Sequence, residues 1–268
     1  MVTTSLSAAI LACCVGLGVV LSSPTTPPNG LAGRSASQVI ATAVGAARAT
    51  GSLHLVETAQ LGPVKIGAVG DIGQMRGRIR VLSGAQGVLG TGTVLWLPNI
   101  LYVQGDATFL SAIFAGSTSD STRLANQWVA FSSDSPEYSE FSTNNAFASM
   151  LDSLQPHGHL SLGPVHSVDG VNVVSVGGSR TVTSNGVHLG ATVTLWVSTT
   201  APFLPVELIE RISAGIISGT ETLQFSDWGQ PVAIVAPAKS VPSTSVPGLV
   251  PSTGGGATEL QPFRIDDA

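Results

Sequence analysis

Four histidines, His157, His159, His166 and His188, fall in one run of β-prone sequence, and a strand through the first two would turn both imidazoles to one face. Imidazoles placed this way could begin a zinc site, but zinc needs further His, Cys or carboxylate ligands at matching spacing. None is patterned beside them, so they read as solvated or locally hydrogen-bonded histidines. Glu207 with Glu210, and Asp134 with Glu137, could act as carboxylate pairs, although surface positions are the plainer reading. Gly67, Gly70 and Gly73 lack the spacing of a dinucleotide loop and suit bends in a curved sheet. No Gly-x-Ser-x-Gly elbow, Walker loop or His-Glu-x-x-His occurs. Nothing in these residues argues for catalysis, and no metal or cofactor is expected.

The remaining reactive groups are thiols. Cys13 and Cys14 are the 2 cysteines of the chain, and both lie in the apolar run 6–21, which precedes a Pro/Thr/Ser-rich stretch. The run is short for a spanning helix, which needs about 20 apolar residues, and fits an export signal or short anchor. No Lys or Arg precedes it, as a start further upstream would explain. Ile10-Leu-Ala-Cys13 and Leu11-Ala-Cys-Cys14 each approach a bacterial lipobox, whose cysteine is diacylated. Lipidation of Cys13 or Cys14 and burial of two small hydrophobes in a signal helix therefore both stand as readings. Either way the mature domain holds no disulfide.

Only 10% of the 268 residues are Asp, Glu, Lys or Arg, against roughly 25% in an average soluble protein. A solvated surface must then be built from Ser, Thr, Asn and Gly. The net charge of -5 carries no basic run, so counterion release has nothing to work with and nucleic acid is excluded as a partner.

These residues sit in elements that the pattern outlines. Ser35 with Gln38 forms a capping box, and Val39, Ile40, Ala43, Val44 and Ala47 make one helical stripe before Gly51 ends it. Residues 53–58, 64–72, 74–82 and 93–103 read as strands, with a turn at Pro98-Asn99 inside the last. Asp106 caps a helix bearing Phe109, Leu110, Ile113 and Phe114, stopped by Gly116. Asn144 or Asn145 caps a second, with Phe147, Met150, Leu151 and Leu154, ended by Pro156. Residues 159–168, 171–183 and 187–198 follow, joined by Asp169-Gly170 and Asn185-Gly186, dipeptides suited to two-residue hairpin turns.

In 192–198, Val193, Leu195 and Val197 alternate with polar neighbours and so share one face. Pro202 and Pro205 interrupt the ladder before Val206, Leu208, Glu210 and Ile212 resume the period of two. Residues 219–227 and 232–235 close the meander. Trp96, Trp128, Trp196 and Trp228 fall in four β segments, where sealing a sheet edge or core is the reading preferred over contact with a ligand. From Pro237 the composition is that of a disordered tail. The organisation expected is an export signal, anchor and linker at 1–34, one domain at 35–236, and the tail at 237–268.

Leu101-Tyr-Val-Gln-Gly-Asp-Ala107, Asn126-Gln-Trp-Val129, Leu195-Trp-Val-Ser198 and Leu204-Pro-Val206 together resemble actinobacterial, mycobacterial-type cell-envelope lipoproteins with a lipoprotein-localisation-factor-like (LolA/LppX/LprG-like) fold. The resemblance spans about 35–236 and implies an α+β domain, a strongly curved antiparallel half-barrel wrapped around a few short helices. It further implies an apolar cavity, and a protein exported to the outer face of the plasma membrane or a periplasm-like space.

Such a protein would bind or carry a lipid or other hydrophobic ligand, meeting the membrane through its N-terminal segment or a lipid anchor. The residues expected to line the cavity are Val193, Leu195, Val197, Leu223 and Phe225 from strands, and Phe109, Ile113 and Phe114 from the helix. The same side chains could instead fill a dry core. A non-catalytic sensory or scaffolding module with a protein partner is the alternative function, since fold alone does not separate the two.

Overall fold

A computed structural model describes residues 29–246, apart from 86–87, 115–117, 146, 185–186 and 215–216. Helix α1 (Ala36–Thr50) starts where Ser35 accepts from the Gln38 amide and the Gln38 side chain accepts from the Ser35 amide. It ends at Gly51, whose φ of 75° is free of strain only without a Cβ. The stripe Val39, Ile40, Ala43, Val44 and Ala47 is buried.

A meander follows: β1 (Ser52–Leu61), β2 (Val64–Gly73), β3 (Gly77–Ala85), β4 (Val88–Leu97) and β5 (Ile100–Gly105). Helices α2 (Ala107–Ile113) and α3 (Thr118–Leu124), strand β6 (Val129–Ser132), and helices α4 (Pro136–Asn145) and α5 (Phe147–Ser153) form the middle. A second meander comprises β7 (His157–Val168), β8 (Val171–Ser184), β9 (Val187–Ser198), β10 (Pro205–Ala214) and β11 (Ile217–Ser226). The short β12 (Val241–Pro242) closes the order.

All strands join one 12-stranded sheet ordered β12-β6-β5-β4-β3-β2-β1-β11-β10-β9-β8-β7, antiparallel except for β12 beside β6. The two meanders meet at β1 and β11, and the sheet is curved and unclosed. Its concave phase shares one apolar cluster with the helices. Helix α1 packs on β7, β8 and β10, while α2 packs on β3, β4 and β5. The expected half-barrel around short helices is therefore what forms.

The turns at Pro98-Asn99 and Asp169-Gly170 also form, with positive φ of 69° at Asn99, 47° at Asp169 and 81° at Gly170. The turn at Asn185-Gly186 lies outside the described residues, as do Gly116 and the segment with Cys13 and Cys14. Among the described residues, no helix is long and apolar enough to cross a membrane.

Three expectations need correction. Four helices, not two, separate β5 from β7. The extra pair, α3 and α4, is mostly polar and carries no apolar stripe to reveal it, although the Ser135 hydroxyl caps α4 by accepting from the Tyr138 amide. Residues 232–235 form no strand, and Val235 is 86% exposed. The chain there lies between Pro231 and Pro237 and finds no ladder partner. Finally, only Trp96 and Trp196 lie in strands; Trp128 precedes β6, and Trp228 follows β11, where its Nε1 donates to the Pro205 carbonyl at 3.1 Å. Beyond Pro237 the chain returns to the sheet, since Val241 pairs with Val129 and Val246 is buried in the main cluster.

Candidate functional site

Successive pairings carry rows of side chains across the concave face, because residues two apart on a strand share a face and register fixes their neighbours. One row runs Val176, Leu195, Leu208, Leu223, Glu57, Ala68, Val81. The next, one step from the helices toward the hairpin tips, runs Gly178, Val193, Glu210, Glu221, Ala59, Ile66. The third begins Arg180, Ala191, Ile212. An aliphatic surface thus gives way to a charged layer within two rows.

The aliphatic part collects the side chains expected to line a cavity. Val193, Leu195 and Val197 are all but fully buried, and Phe109 is 0% exposed. The Phe109 ring lies on bare backbone: a Cβ at Gly92 would stand 2.1 Å from it and one at Gly105 2.3 Å. Asp106 sets that position by accepting from the Phe109 amide at 2.8 Å and from the Thr91 amide at 2.7 Å. Burial works against the charge on Asp106, but hydrogen bonds from Phe109, Thr91 and Thr108 outweigh it and hold the carboxyl below its ordinary value.

Phe114 lies 5.5 Å from the Phe131 ring, and Phe225 5.9 Å from Trp228. Ile113 and Leu223 are only partly buried at the edge of the same cluster. A cleft of about 380 Å³ opens at β1 to β4, lined by Glu57, Ala68 and Val81 from the concave phase and by Gly67, Val69, Arg80, Leu82 and Thr91 from the convex one. Glu57 is the cross-strand partner of Leu223, so the partly buried leucine stands next to a wall of the cleft.

The charged layer was not anticipated. Glu210, expected at the surface with Glu207, is 0% exposed, Glu221 is 2% and Arg180 is 8%. Glu207 lies on the opposite phase of β10, so the two glutamates form no pair. Burial, reinforced by Asp169, raises the Glu207 carboxyl despite opposing contributions from Gln224 and His166. Arg180 Nη2 is ion-paired with Glu210 Oε2, and its Nη1 donates to the Ser153 carbonyl at the end of α5.

Burial lowers the affinity of Arg180 for its proton, with Glu221 opposing. It raises Glu221, with Arg180 opposing. Burial and the neighbouring Glu221 together push Glu57 up to about 8. Beyond the layer, Leu189, Ala191 and Ile212 form a second small apolar cluster, so the charges are enclosed on both sides. Arg180 Nε, Glu210 Oε1 and Glu221 Oε2 have no hydrogen-bond partner. A signal was present in the sequence: Glu57, Arg180, Glu210 and Glu221 each occupy the apolar phase of their strands.

The histidines remain apart from this site. His157 and His159 are exposed, His166 packs edge-on at 4.1 Å against Trp196, and the side chain of His188 is outside the described set. Asp134 is exposed and accepts from the Ser133 hydroxyl. Among the described residues, no group of three or more His, Cys, Asp or Glu is placed to hold a metal ion.

No protein-family profile and no curated protein matches the chain. Its fold is that seen in the crystal structure of LprF from Mycobacterium bovis, matched with a TM-score of 0.50 and 16% identity over 76% of this chain and 97% of that one. At that identity the likeness speaks for the fold.

Proposed function

We propose, from the fold shared with LprF, that this protein is an exported cell-envelope lipoprotein that binds or carries a lipid or other hydrophobic ligand and catalyses no reaction. The observation that carries this reading is the aliphatic concave face of an unclosed sheet, reached at Glu57, Ala68 and Val81 by a cleft of about 380 Å³. That volume falls in the range of small-molecule sites, roughly 300–1,000 Å³. Each buried methylene contributes about 0.8 kcal/mol, so ten supply about 8 kcal/mol before ordering costs.

An acyl chain entering there passes Glu57 and meets its cross-strand partner Leu223 first. Reaching the faces of Phe109, Phe114, Phe225, Val193, Leu195 and Val197 requires the packed cluster to part. Anchoring to the outer face of the plasma membrane would come from acylation of Cys13 or Cys14, or from the apolar segment around them.

Native mass spectrometry with lipid extraction tests the reading on protein purified from a lipid-rich actinobacterial host. Bound lipid is expected, and Leu223→Trp, which fills the mouth of the site, should reduce its recovery about tenfold, equivalent to 1.4 kcal/mol. Repeated isolation of empty protein would overturn it. The second reading, a non-catalytic sensory or scaffolding module for a protein partner, is favoured by exposed apolar side chains on β2 to β4: Val69 and Leu82 at 40% each and Leu89 at 48%. On that reading, Leu89→Glu, outside the cleft lining, abolishes a partner cross-link and leaves lipid recovery unchanged.

A further inference from the structure

We propose that Glu57, Arg180, Glu210 and Glu221 form a recognition site for an ammonium group, so that the hydrophobic ligand is an amphiphile with an amine in its head. The inference rests on the lipid-binding reading above and adds the chemistry of the head group. Three inward-facing carboxyls share one inward-facing cation. Among the described residues of the sheet, Lys65, Arg78, Arg80 and Arg211 all lie on the convex phase, leaving Arg180 alone on the concave one.

Arg180 is spent on Glu210 and the Ser153 carbonyl. Glu221 Oε2 and Glu210 Oε1 remain as buried acceptors without hydrogen-bond partners, against one free donor on the concave phase, Arg180 Nε, the other buried free donor, Trp196 Nε1, being on the convex phase of β9. Acceptors in excess call for a donor-rich guest, and an ammonium offers three N–H groups with no acceptor of its own. Among the described residues no three His, Cys, Asp or Glu side chains are placed to hold a metal ion, and the guest instead meets the two unpartnered oxygens as hydrogen-bond acceptors. Access runs through Glu57, which is only half-buried and borders the cleft.

The charge balance gives the site a pH signature. Of the charged groups on this face, Glu221 of β11 acts on Glu57 directly, Glu210 of β10 and Arg180 of β8 follow beyond it, and Arg80 from β3 borders the cleft on its convex phase. Without a cation, burial and Glu221 keep the Glu57 carboxyl protonated up to about 8. A bound ammonium takes over the role of that proton, which leaves for solvent. Affinity therefore rises with pH up to that value, by up to roughly tenfold per pH unit for each proton released.

Dodecylamine, dodecanol and dodecanoate, titrated below their micellar concentrations by calorimetry at pH 6 and pH 8, test this on the delipidated full-length protein. The amine stays charged throughout, its pKa being near the 10.4 of a lysine, at about that value. Dodecylammonium is expected to bind at least about tenfold more tightly than dodecanol at pH 8, with the preference shrinking at pH 6. Glu57→Gln and Glu221→Gln should remove the preference while dodecanol binding persists. Equal binding of amine and alcohol at both pH values, or a preference for dodecanoate, overturns the ammonium site and leaves the lipid cavity standing. Failure of all three probes overturns both. The wild-type comparison decides the matter even if Glu221→Gln does not fold.

Discussion

Leu208 and Glu210 stand two residues apart on β10, point to the same face and are both 0% exposed, yet they belong to regions stabilised in different ways. At the helix end of the concave face, Leu208 lies in a row with Leu195 and Val176, where burial is favourable without any partner. At the hairpin end, Glu210 depends on Arg180, because an uncompensated buried charge costs far more than a lost dispersion contact. Burial alone therefore does not identify a core. What a buried side chain touches decides whether the position contributes stability or consumes it, and the consuming end is where a ligand has something to gain.

The sharpest test of this contrast is Arg180→Ala, which strands Glu210 and should cost about 3–5 kcal/mol in urea denaturation. The double replacement Arg180→Met with Glu210→Leu should recover most of that loss. If the single change is nearly silent, the charged layer is wetter than its burial implies. At the other end, Leu195→Ala should cost about 2–5 kcal/mol, and the loss should be independent of pH.

The pH profile separates the two ends next. Glu57 holds its proton up to about 8 against an ordinary value of 4.5, and Glu221 is raised as well. Between those values the folded chain binds more protons than the unfolded one. Stability is therefore fully present at the acid end of the window and falls as pH rises toward 8, by up to about 1.4 kcal/mol per unit for each group. Denaturation at pH 5, 6.5 and 8 should show this decline, with Glu57→Gln flattening its share; a profile level from 5 to 8 would remove the distinction. The smallest effect is expected at Ser35→Ala, which removes the cap of α1 far from the charges and should lower stability by about 1 kcal/mol.

Local rules made much of the frame legible. The Ser35 to Gly51 helix, the turns at Asn99 and Asp169, and the strand bearing Val193, Leu195 and Val197 depend on contacts only a few residues apart, or on a strict period of two. Helices α3 and α4 escaped because they carry few apolar side chains, and their positions come from neighbours such as Phe141 against Trp96, with ring centroids 5.2 Å apart. The charged layer was half legible. Glu210 sits in the apolar phase between Leu208 and Ile212, but a glutamate on that phase is ordinary if the strand end is solvated.

The sequence by itself determined which residues alternate, where the chain turns and which faces are apolar, since these follow from backbone sterics and side-chain period. Only the tertiary structure decided that Glu57, Arg180, Glu210 and Glu221, drawn from β1, β8, β10 and β11, share one inward-facing layer. It also decided that Phe109 rests on Gly92 and Gly105. Both arrangements depend on sheet curvature and long-range register, which bring together residues far apart in the chain and determine how much water each one loses.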